Sequence, residues 1–110
     1  MQARFIGKEI GSSSLLTQPG DIGVGAANYQ FGLIVRCPVC DKIIVIPLNK
    51  ELHNITWQFN ESNLTLQPSV RTETSRGICH WSLTKGKFIL YMDSTAIPND
   101  VAEGVNENFS

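Results

Sequence analysis

Apolar and polar residues alternate along much of this chain with the period of two that marks half-buried β-strands. Ile55, Trp57 and Phe59 alternate with Thr56 and Gln58, and Leu64 and Leu66 with Thr65 and Gln67, before Pro68 ends the run. Gly32-Leu-Ile-Val-Arg36 and Lys42–Leu48 are denser β-type runs, and Val70–Thr74 is a weaker one. Gly77–Thr84 and Lys87–Met92 are predicted to pair as a hairpin through Lys85-Gly86. Sustained helical spacing is absent, and the best helical segment, Asp100–Asn106, is short and carries Gly104. The expected fold is therefore mostly β, a small antiparallel-sheet domain of six or seven strands.

Residues 2–10 are expected to add one short strand. Residues 11–28 are rich in Ser and Gly and contain Pro19, which reads as a long loop or arm. The organisation that follows is an N-terminal arm over residues 1–30, a β domain over 31–98 and an acidic tail over 99–110. Gly20-Asp21-Ile22-Gly23-Val24-Gly25 is not read as a phosphate loop. It lacks a clear preceding strand, a following helix and a Gly-Lys-Ser/Thr ending.

At 110 residues, 42% hydrophobic and 17% charged, the composition is that of an ordinary single domain. No apolar run approaches the ~18 residues of a membrane span. The N-terminus also lacks the layout of a secretory signal. The expected location is the cytoplasm, or a host's cytoplasm for a phage-encoded chain, without membrane association. Residues 32–98 hold seven Lys/Arg against five Asp/Glu, while the tail holds three acids and no cation. That weak positive balance argues against nucleic-acid binding, which needs a stronger field. The minority nucleic-acid reading uses Arg36, Lys42, Lys85 and Lys87, with Trp57 or Trp81 as stacking platforms.

The clearest chemistry lies in Cys37-Pro-Val-Cys40, which opens a predicted hairpin of the zinc-ribbon or knuckle kind, and in Cys79-His80. These are all the cysteines of the chain. Three cannot pair off as disulfides, and a reducing compartment favours metal over oxidation. Zinc takes four ligands, commonly Cys₄, Cys₃His or Cys₂His₂. The expected site is thus one structural Zn²⁺ on Cys37, Cys40, Cys79 and His80. The fourth place has rivals in His53, Asp41 and Asp93, because Cys79 and His80 face opposite ways on a regular strand.

Cys37-Pro-Val-Cys40, Trp57-x-Phe59-Asn60, Pro68-Ser69-Val70, Cys79-His80-Trp81, Lys85-Gly86-Lys87-Phe88-Ile89 and Asp93-Ser94-Thr95 occur in an order that resembles a family of small phage and bacterial proteins. Its members are sometimes labelled ammonia monooxygenase. The resemblance spans residues 33–98. It implies a shared Cys-x-x-Cys plus Cys-His site and a phage or bacterial source, and some relatives sit beside ubiquitin-like conjugation genes. Where that family often has Asp-Cys-Thr-His, this chain has Asp93-Ser94-Thr95-Ala96 and lacks the extra ligands.

The leading functional expectation is a non-enzymatic protein-binding module built around the zinc, directed at a host or defence factor and able to pair as a homodimer. The alternative is a zinc hydrolase with three protein ligands and Asp93 or Glu73 as base.

Overall fold

The computed structural model describes residues 1–27, 29–74, 77–92 and 94. Asp93 and the acidic tail with its Asp100–Asn106 segment lie outside them.

Among the described residues the alternating runs become ten strands, most of them in two principal sheets. The first sheet has the order β1 (Arg4–Ile10), β2 (Asp21–Ala27), β3 (Gln30–Arg36), β4 (Ile43–Ile46). A small hairpin, β5 (Glu51–Leu52) and β6 (Ile55–Thr56), leads to the second sheet. That sheet contains β7 (Gln58–Asn60), β8 (Thr65–Thr74), β9 (Gly77–Thr84) and β10 (Lys87–Leu90), in the spatial order β10-β9-β8-β7. Every strand pair is antiparallel except β1 with β2. The mostly β, antiparallel architecture read from the pattern is the observed one.

The apolar set of each sheet faces the other. Ile22, Leu33, Val35 and Ile46 from the first sheet share one core with Leu66, Val70, Trp81, Leu83 and Phe88 from the second. The Trp81 and Phe88 rings meet edge to face at 5.1 Å, a favourable quadrupole arrangement. Trp81 is fully buried, so it cannot serve as a stacking platform for a nucleic-acid base. A second, smaller cluster of Ile10, Leu16, Ala27 and Ile34 lies apart from the first. Since Leu33, Ile34 and Val35 are all fully buried, β3 is covered on both faces, which is why its sequence is continuously apolar.

The expectation of a loop over residues 11–28 is corrected: β2 occupies Asp21–Ala27 and pairs with both β1 and β3. Glycine lowers strand propensity, yet here it permits close backbone approach. Gly25 and Gly32 are cross-strand partners. A Cβ on Gly25 would collide with the Ile10 carbonyl oxygen, and one on Gly32 with that of Ile46. The segment leading into β2 is held by the buried Asp21 carboxylate. It accepts hydrogen bonds from Arg4 Nε at 2.8 Å and Nη2 at 2.7 Å, and from the Thr17 and Gln18 N–H groups at 3.0 Å each.

Pro68 does not end a strand as its position suggests. It sits inside β8 after a cis Gln67–Pro68 bond, where the pairing with β9 slips between Leu66 and Val70. Proline is tolerated at such an irregularity because no ladder N–H is required of it. The β9–β10 hairpin forms as read, with Lys85 at φ +49° and Gly86 at φ +78° in its turn.

Candidate active site and thiol cluster

The strand β9 carries two chemistries on opposite faces. Its register against β8 is regular through Arg71↔His80, Thr72↔Cys79 and Glu73↔Ile78, so successive side chains alternate sides. Cys79 and Trp81 point into the core, and His80 points to the outer face with partial exposure.

On the inner face, Cys79 meets the turn that follows β3. The Cys37 N–H donates to the Lys42 carbonyl at 2.7 Å, and the Asp41 N–H to the Cys37 carbonyl at 3.1 Å. These bonds close the Cys-x-x-Cys loop. The Val39 N–H also points at Cys37 Sγ, 3.5 Å away. The three Sγ atoms of Cys37, Cys40 and Cys79 lie within 4.8 Å of one another, and none of these residues is more than 2% exposed. Hydrogen bonds from the Cys37 and then the Cys79 thiol hold Cys40 well below the usual thiol range. Donation to Cys40 keeps the Cys37 proton on. Contacts with Cys37 and then Cys40 raise the Cys79 thiol strongly. Three cysteine sulfurs gathered within 4.8 Å of one another and shut away from water are a donor set able to hold a metal ion.

The other residues expected at this cluster are elsewhere. His80 is not brought to the thiols, because its ring lies on the far side of β9. His53 is exposed in the β5–β6 turn at φ +53°. Asp41 is paired with the Arg36 guanidinium. Among the described residues no His, Asp or Glu joins the three cysteines.

On the outer face, His80 Nε2 and Ser69 Oγ are hydrogen-bonded at 3.2 Å. Each partner is fixed by its own neighbours. Ser69 sits where β8 slips its register, and its carbonyl accepts from the Trp57 indole N–H at 3.3 Å. The His80 ring stacks on Tyr91 with centroids 4.3 Å apart and planes 26° from parallel. The buried Ser94 hydroxyl accepts from the His80 N–H at 2.8 Å and donates to the His80 carbonyl at 2.7 Å. That carbonyl also accepts the Tyr91 N–H at 2.9 Å. A hydroxyl within reach of an imidazole that is itself oriented by its surroundings has the geometry of an activated nucleophile and its base.

Sequence reasoning named His80 for another role and passed over Ser69, which appeared only inside the Pro68-Ser69-Val70 motif. The signal that finds the pair is topological. The antiparallel pairing of β8 with β9 places residues 69 and 80 on neighbouring strands, and their shared outward parity puts them on one face.

No curated protein and no solved structure matches the chain. A family model does, over residues 13–91, and its description is bacterial ubiquitination-like system serine protease (BubE). The match begins within the segment expected to be an arm and takes in the Cys-x-x-Cys turn, Ser69 and His80. It overturns the expectation of a non-enzymatic binding module, since the family is described as a protease. Covering well over half of the sequence, the match shows that this chain belongs to the BubE family.

Proposed function

We propose that the protein is a serine protease in which Ser69 is the nucleophile and His80 the general base, acting on polypeptides of a bacterial ubiquitination-like system. The observation that carries this reading is the 3.2 Å contact between Ser69 Oγ and His80 Nε2 on the open face of the second sheet. The family description supplies the reaction class and the substrate system.

The chemistry follows from those two groups. As Ser69 Oγ attacks the carbonyl carbon of the scissile bond, its proton passes to His80 Nε2. The tetrahedral intermediate collapses to an ester on Ser69 when His80 returns that proton to the departing amine. Water, deprotonated in turn by His80, then releases the acid and restores the hydroxyl. Tyr91 stacks on the imidazole and Ser94 fixes the His80 main chain for both transfers, while the Trp57 indole holds the Ser69 carbonyl.

The thiol cluster supports a separate, structural role. Cys37, Cys40 and Cys79 would hold one Zn²⁺, and a tetrahedral zinc thiolate site has sulfurs about 3.8 Å apart, inside the observed spread. Its bound ion would tie the turn after β3 to β9 and so fix the strand that carries His80.

The test is hydrolysis of polypeptide conjugates of a ubiquitination-like system by the purified chain. Cleavage by the wild type that is lost in both Ser69→Ala and His80→Ala is the expected result. Undiminished cleavage by Ser69→Ala would refute the assignment.

A further inference from the structure

The outer face of the second sheet does more than display Ser69 and His80. A groove of about 690 Å³ runs over β7 and the start of β8, lined by Gln58, Phe59, Asn60, Glu61, Asn63, Thr65 and Gln67. Gln58 pairs in register with Gln67, and Asn60 with Thr65, so these four side chains share one face. Gln67 is two residues before Ser69 on β8, separated from it by the cis Gln67–Pro68 bond where the pairing with β9 slips.

The lining is unusual in kind. Its one carboxylate, Glu61, is paired with Lys8 at 2.9 Å, which leaves little net charge for ionic recognition. Asn60 Oδ1 accepts from the Ser62 N–H and hydroxyl, and Thr65 Oγ1 from the Lys85 N–H. Among the described residues, the side-chain amides of Gln58, Asn63 and Gln67 have no hydrogen-bond partner. Carboxamides present a donor and an acceptor together, the complement of a peptide unit. Phe59 is the one aromatic of the lining, and its ring packs toward the core beside Phe5.

Resting on the protease reading, we infer that this groove is the substrate subsite of Ser69, and that it binds an extended polypeptide through its main chain. Gln58 and Gln67 are the specificity-determining pair, hydrogen-bonding successive peptide units as the strand crosses toward the nucleophile. Side-chain identity at those positions of the substrate then matters little, while main-chain N–H groups matter greatly.

The experiment measures how peptides slow the modification of Ser69 by a small fluorophosphonate, using the full chain. The competitor is a random-sequence decapeptide mixture, or the same mixture N-methylated at alternate residues. Each variant's rate without peptide is its own reference, so changes at Ser69 itself divide out. The decapeptides are expected to protect the wild type and the N-methylated set to fail. In Gln58→Val/Gln67→Val, the peptide concentration for half-protection should rise about thirtyfold, the loss of two neutral hydrogen bonds. Equal protection by both peptide sets, equal protection of the double variant, or no protection of a readily modified Ser69 would overturn the subsite. If the fluorophosphonate leaves wild-type Ser69 unmodified, the protease reading itself falls instead.

Discussion

Cys79 and His80 are adjacent in the chain and face opposite sides of β9, one closing a buried thiol cluster and the other reaching Ser69. A face able to hold a metal ion and the face of the proposed proton transfer thereby lie on a single strand. The arrangement keeps the buried thiols apart from the partly exposed His80. It also makes the two halves separable by mutation.

Removing Ser69 Oγ or the His80 imidazole should abolish turnover without unfolding the domain. Ser69→Ala and His80→Ala are each expected to lower kcat by about 10³-fold or more. The double variant should be hardly worse than either, because the two groups act as a unit. Steady-state kinetics of the three variants check this, and additive losses would argue against a shared step.

Loss of the metal should destabilise the fold before it affects chemistry. Elemental analysis is expected to find one zinc per chain, and none in Cys79→Ala. If the ion contributes even about 3 kcal/mol, its removal by a chelator lowers Tm by roughly 15 °C. A melting temperature indifferent to strong chelator would remove the structural role of the thiols.

Ser94 is expected to be a positioning residue. Ser94→Ala leaves the His80 N–H without the 2.8 Å acceptor it now has, and the ring should lose its fixed approach to Ser69. The expected outcome is about a tenfold fall in kcat with KM unmoved, recovered in part by Ser94→Thr. A change in KM alone would place the residue in substrate binding instead.

Acid stability should depend on Asp21. Burial alone would raise its carboxyl, but the Arg4 guanidinium and the Gln18 and Thr17 N–H groups outweigh that and hold it below the usual carboxylate range. A depressed folded value adds stability above the unfolded pKa of about 3.9 and loses it as pH falls through the folded value. Asp21→Asn should therefore melt lower than the wild type at pH 7, with the two curves converging in acid. Parallel curves down to the lowest pH would contradict the linkage.

The strands that alternate cleanly were legible from sequence, as were the Lys85-Gly86 turn and the three cysteines of one cluster. What escaped has identifiable physical causes. Gly23 and Gly25 disguised β2, because their value lies in letting β1 approach, a tertiary gain that local propensity does not record. Pro68 read as a terminator because the register slip that accommodates it depends on β9. His80 was assigned to zinc by its neighbour in sequence, although period-two geometry already pointed it the other way. Ser69 carries no chemical mark beyond the Pro68-Ser69-Val70 motif: its contact with His80 depends on pairing across a hairpin.

Peptide mapping by mass spectrometry after fluorophosphonate treatment addresses the pairing of Ser69 with His80 most directly. A single adduct on Ser69, formed about 10³-fold more slowly in His80→Ala, is the predicted result. An adduct at another residue, or a Ser69 adduct whose rate ignores His80, would contradict it.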